Sequence, residues 1–96
     1  MKTKKMTRER RFHIENILKG GANHRRLQIL ELLADEHGLS LSDIAENLKA
    51  DFRTISQHTR RLVQANLVSK KHEGRTVHHQ LTPLGKNILT FCRMLE

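Results

Sequence analysis

Asp51–Asn66, read as DFRTISQHTRRLVQAN, decides the fold of this 96-residue chain. Plotted at 100° per residue, Phe52, Ile55, Thr59, Leu62 and Asn66 fall on one face of a helix spanning about 52–65. Arg53, Gln57, Arg60, Arg61 and Gln64 fall on the opposite face. The first face needs a core to cover it. The second is basic, carries amide hydrogen-bonding groups and holds no acidic residue. Asp51 is suited to cap the helix N-terminus. Asn66 stands where the chain leaves the helix, and asparagine accepts the left-handed backbone such an exit requires.

Downstream lie two short extended runs, Leu67–His72 and Arg75–Leu81, flanking Glu73-Gly74, which predicts a β-hairpin with its tight turn there. Val77, His79 and Leu81 alternate with Thr76, His78 and Gln80, so one hairpin face is core and the other wet. Thr82-Pro83 then supplies an N-cap followed by proline at the first helical position. The last helix carries the stripe Leu84, Ile88, Phe91, Cys92 and Leu95.

Upstream, Lys49-Ala50 forms a tight turn behind a short helix marked by Ile44, Ala45 and Leu48, and either Ser40 or Ser42 caps it. Leu39–Leu41 predicts a short extended link, and His37-Gly38 stops the preceding helix. In that helix Leu27, Ile29, Leu30, Leu32, Leu33 and Ala34 occupy so much of the circumference that most of it must be buried, and Asn23 caps it. A first helix starts near Arg8, places Phe12, Ile14, Ile17 and Leu18 at helical spacing, and ends at Gly20-Gly21. Residues 1–7, rich in lysine, are expected to be a flexible basic arm, and 8–96 a single domain.

The result is a mainly α fold with a β-hairpin wing, in the order α-α-α-α-β-β-α. A short helix joined by a tight turn to a second, followed by a hairpin, is a winged helix-turn-helix. Lys and Arg total 18 against 10 for Asp and Glu, a net charge of +8, which suits a polyanionic partner. A helix fits the major groove of B-DNA, so Arg53, Thr54, Ser56, Gln57, His58, Arg60 and Arg61 are candidates to meet base edges or phosphates. Lys70, Lys71, His72, Arg75 and Thr76 extend that surface onto the wing, toward the backbone or minor groove. The chain has only three Phe and no Trp or Tyr, which argues against base-stacking platforms for single strands and for double-stranded DNA.

From about Ile17 to Leu95 the sequence resembles the ArsR-type winged-helix repressors. Ile17–Leu30 (ILKGGANHRRLQIL) is similar to the family's opening stretch, Ile55–His58 through Leu62 to Asn66-Leu67-Val68 to its recognition helix, and Glu73-Gly74-Arg75 with Leu81–Gly85 to its wing tip and last helix. The resemblance implies a homodimer built on the first and last helices that sets two recognition helices in successive major grooves of a palindromic operator. Phe12, Ile17, Leu84, Ile88, Phe91 and Leu95 are the expected dimer residues. The sequence departs from the family where metal-sensing members carry Cys-x-Cys. Here Ser40 and Ser42 stand there, poor ligands for thiophilic ions. Thr59 replaces a usual leucine and Lys49 a usual glycine.

Seven histidines invite a metal, but their spacing discourages it: on a strand His78 and His79 point to opposite faces. His79 fits an inward packing role, whereas His72 and His78 are candidates for phosphates. One cysteine, Cys92, permits no internal disulfide and reads as a small hydrophobe. No catalytic motif, cofactor-binding loop or metal site is evident, and nothing points to a small-molecule ligand or a membrane. The expected protein is thus not an enzyme but a cytoplasmic, nucleoid-associated transcriptional regulator, in the simplest case a repressor. A winged-helix adaptor for protein or RNA, and a nonspecific nucleoid-type DNA binder, are the alternatives.

Overall fold

The computed structural model describes residues 4–96. Part of the predicted arm, residues 1–3, lies outside them. Each helix begins where a side-chain oxygen accepts an otherwise orphaned N–H. Thr7 does so for α1 (Arg8–Gly21), and Asn23 accepts from both Arg25 and Arg26 at the start of α2 (His24–Asp35). The short helix α3 (Leu41–Leu48) is capped by Ser40, whose hydroxyl and backbone exchange hydrogen bonds with Asp43 in a reciprocal capping box. Asp51 opens α4 (Phe52–Gln64), and Thr82, ahead of Pro83, opens α5 (Pro83–Met94).

Between α4 and α5, β1 (Val68–Glu73) pairs antiparallel with β2 (Thr76–Leu81), from Val68 opposite Leu81 to Glu73 opposite Thr76. The loop is therefore Gly74-Arg75, one residue later than predicted. Gly74 takes φ +61°, the left-handed conformation that a two-residue hairpin loop requires. Leu39 adds a single bridge to His79, so the link between α2 and α3 borders the hairpin.

The core joins Ile29, Leu30 and Leu33 of α2, Ile44 and Ala45 of α3, Ile55 and Leu62 of α4, Leu67, Val68, Leu81 and Leu89. Three expectations need correction. Ala34 is exposed, because α2 buries one face rather than most of its circumference. Phe52 is exposed, because it sits in the first turn of α4, ahead of the part that packs. On α5 the inward residues are Gly85 and Leu89, so the predicted stripe lies beside the core contact rather than on it. Gly85 has no room for a side chain, since a Cβ there would overlap the Leu67 carbonyl oxygen.

Candidate nucleic-acid interface

The α3–α4 connection sets the angle of the basic helix. Lys49 adopts φ 50°, and the Ala50 N–H donates to Ala45 O at 3.0 Å, closing a turn of two residues before the Asp51 cap. With Ile55, Thr59 and Leu62 buried, α4 can rotate little. Its outer side presents Arg53, Gln57, Arg60, Arg61 and Gln64, all exposed.

Not every predicted residue of α4 is free to reach outward. Thr54 is exposed, yet its hydroxyl donates to Asp51 Oδ2 at 3.2 Å and so supports the cap. Ser56 is half-buried in a groove between α4 and the hairpin, lined also by Arg60, Lys70, Val77 and His79. His58 is half-buried as well, and its Nδ1 accepts from Arg26 Nε at 3.2 Å. Because an arginine Nε only donates, this bond puts the proton of neutral His58 on Nε2. Burial, then the nearby Arg26 and Arg25 guanidinium groups, lower its pKa from the usual histidine value and so favour the neutral ring.

The wing carries Lys70, Lys71, His72, Arg75 and Thr76, all exposed. In the observed register Lys70 and His72 share the hairpin face of His79 and Val77, toward α4, whereas Lys71 and Glu73 share the face of His78. Glu73 is the wing's one acid. It lies 3.4 Å from Lys71 Nζ and 3.8 Å from His78 Nε2. His78 Nδ1 is also within 2.7 Å of Gly38 O, so this histidine is engaged with the protein itself. His79, 2% exposed, donates from Nδ1 to Leu39 O at 2.9 Å and takes the packing role predicted for it.

Sequence reasoning missed Arg26. From the first turn of α2 it donates to His58 and, through Nη1, to the carbonyls of Lys19 and Gly20 at 3.0 and 2.9 Å. These bonds tie the end of α1 to α2 and α4. In the sequence Arg26 lies within the stretch Ile17–Leu30 that is similar to the family's opening, but it resembles a solvated residue until its partner 32 positions away is known.

A second surface is apolar. Most of the exposed large hydrophobic residues come from α1 and α5: Phe12, Leu18, Phe91, Met94 and Leu95, exposed by 48–76%. Ile17, Leu84 and Ile88, also predicted for a dimer contact, are half-buried and pack partly against the core. Leu18 and Met94 join the surface although neither was predicted. Cys92 is half-buried beside it. Among the described residues no group of three or more His, Cys, Asp or Glu side chains is placed to hold a metal ion, and no helix is long and apolar enough to cross a membrane.

Residues 23–70, from the α2 cap into the first hairpin strand, match the bacterial regulatory proteins of the arsR family. The transcriptional activator HlyU of Vibrio cholerae is 38% identical over 66 residues, covering 69% of this chain and 60% of that protein. The match thus spans less than two thirds of that relative. The solved structure of HlyU from Vibrio cholerae superposes with a TM-score of 0.80 at 30% identity, over 93% of this chain and 97% of that one. A homodimeric winged helix-turn-helix DNA-binding domain from Mycobacterium bovis, a possible ArsR-family regulator, superposes at 0.80 with 23% identity, covering 98% and 89%, and shares the fold. This chain belongs to the arsR family: it is a winged helix-turn-helix transcription regulator and not an enzyme.

Proposed function

We propose that this chain is a homodimeric, sequence-specific binder of double-stranded DNA. The observation that carries this is the outer face of α4, exposed, free of acidic residues and continuous in charge with the cationic wing. Arg53, Gln57 and Arg60 meet base edges in the major groove, since arginine pairs with guanine and glutamine with adenine. Lys70, Lys71, His72, Arg75 and Thr76 follow the backbone or minor groove, and Ser56 supports the contact from the groove between helix and wing. Thr54 and His58 contribute through the cap and through Nε2–H. The arm, residues 1–7, adds charge ahead of the winged domain, residues 8–96.

The exposed apolar residues of α1 and α5 become the contact between two copies, with Phe12, Phe91 and Leu95 central and Ile17, Leu84 and Ile88 beneath them. Covering them removes several large apolar side chains from water, at about 25 cal/mol per Å² buried. A two-fold dimer presents two copies of α4 to one inverted repeat. Acting in the cytoplasm at the nucleoid, such a dimer regulates most simply by repression, occupying an operator that polymerase needs. The Vibrio cholerae relative is named an activator, and a promoter-fusion assay reads the sign here.

The test is selection of bound genomic fragments by purified protein, with Gln57→Ala, Arg53→Ala and Phe91→Glu in parallel. The wild type recovers one inverted repeat. The first two variants lose discrimination at particular bases, and Phe91→Glu sediments as a monomer and loses the repeat. Fragments without a common motif, unaffected by Gln57→Ala or Arg53→Ala, would point to a nonspecific binder or an adaptor.

A further inference from the structure

We infer that the cleft between the start of α2 and the outer side of α4 is a seat for one DNA backbone phosphate, with Arg26 as its fixed charge. The inference rests on the DNA-binding function proposed above and names a contact that α4 alone does not supply. The cleft, about 440 Å³, is lined by Arg26, Gln57, His58, Arg60, Arg61 and Gln64. Three guanidinium groups, two amides and an imidazole face it, and no carboxylate does. The ion pairs among the described residues are Lys19–Glu15, Lys71–Glu73 and His78–Glu73, none of which involves a cleft residue.

The cleft gathers three like charges with no opposing charge among its lining residues. Partial burial, and after it the nearby Arg61 guanidinium, disfavours the charged form of Arg26. A carboxylate from the chain would relieve that repulsion, and none is supplied. A phosphate does so, and it suits donors held in a planar fork.

Arg26 is also already ordered. Its Nε bond to His58 Nδ1 and its Nη1 bonds to the Lys19 and Gly20 carbonyls hold the guanidinium against three helices, leaving Nη2 without a partner among the described residues. A surface arginine loses side-chain freedom when it grips a phosphate, but here the fold has fixed it beforehand. The same Nε bond sets His58 with its proton on Nε2, a further donor at the cleft. Phosphate contacts fix register and carry no sequence information. The seat therefore aligns α4 in the groove while Arg53 and Gln57 read bases.

The experiment measures binding of the full chain to a mixed-sequence duplex and to a fragment recovered by selection, by fluorescence anisotropy between about 50 and 200 mM salt. Wild type is compared with Arg61→Gln, Arg26→Gln and Arg26→Lys. Each lost phosphate contact lowers the magnitude of the slope of log K against log salt by about 0.9, which is about fivefold in affinity near 0.15 M salt. The expectation is that loss for Arg61→Gln and Arg26→Gln on both duplexes equally, with the preference between them kept, and a slope near wild type for Arg26→Lys. The Arg61 side chain makes no hydrogen bond among the described residues, so its variant reports even if Arg26→Gln unfolds. An unchanged slope for Arg61→Gln, or a loss confined to the selected fragment, overturns the seat. Saturable shifts of the Arg26 and Arg61 side-chain resonances with inorganic phosphate, alongside unchanged DNA slopes, would assign the cleft to free phosphate and overturn it too. A wild type with no salt-dependent DNA affinity fails the proposed function itself.

Discussion

In Thr59→Val the hydroxyl that α4 carries into the core is exchanged for a methyl group of nearly equal volume. Thr59 is 2% exposed, and its Oγ1 is buried without a hydrogen-bond partner. Burying a hydroxyl without a partner costs about 1–3 kcal/mol. Valine removes that cost, keeps the β-branched shape and differs little in helix propensity. The substitution should therefore stabilise the chain by about 1–2 kcal/mol. For a domain of this size each kcal/mol moves Tm by about 4–8 °C, so an increase of about 5–15 °C is expected. The assay is urea unfolding followed by far-ultraviolet circular dichroism, because the chain lacks Trp and Tyr. Protein concentration is held fixed, since the proposed dimerisation would couple to stability. The midpoint should rise with the m-value unchanged. A midpoint equal to or below that of wild type would refute the reasoning and show that the hydroxyl is hydrogen-bonded within the helix, for instance back to the carbonyl of Ile55.

Other substitutions test the backbone and the buried histidines. Lys49 sits at φ 50°, where a side chain costs about 1–2 kcal/mol, so Lys49→Gly, after the greater entropy glycine loses on folding, should gain about 0.5–1 kcal/mol in the same urea assay. Gly85→Ala drives a Cβ into the Leu67 carbonyl and should lose about 3 kcal/mol or more, seen as a fall in Tm. Burial first, then the charges of Lys70 and His78, lowers the His79 pKa against the opposing bond to Leu39 O, and His58 is lowered by burial, Arg26 and Arg25. Below about pH 6.5 the unfolded chain then binds protons that the folded chain resists, so stability must fall as pH drops, until the folded-state values are passed. A Tm series from pH 7.5 downward checks this, and His79→Asn, which keeps an N–H for Leu39 O but does not titrate, should make the fall shallower and leave the His58 part.

Most helix boundaries were legible because their caps are chemical: Thr82-Pro83, Asp51 and Asn23 can do little else at those positions, and Asn66 adopts the left-handed φ of 62° expected of it. The choice between Ser40 and Ser42 was also decidable, since only Ser40 is followed three residues later by an acid able to complete a capping box. The hairpin turn slipped by one residue because Glu73-Gly74 and Gly74-Arg75 are equally short, and only cross-strand pairing separates them. Leu89 was missed as a core residue because helical spacing finds an apolar stripe but not which edge of it meets the core. The same limit hid the partners of the candidate site. That His78 is taken up by Gly38 and Glu73, and His58 by Arg26, follows from contacts between elements that periodicity does not encode, whereas Thr54 is taken up locally by the Asp51 cap three residues before it.

The central claim, two copies of α4 on one operator, is tested most directly by hydroxyl-radical footprinting on a fragment recovered by selection. Protection should appear in two windows related by a dyad, with half-site centres about one helical turn, 10–10.5 bp, apart. A single window without symmetry, or uniform protection along the duplex, would contradict it.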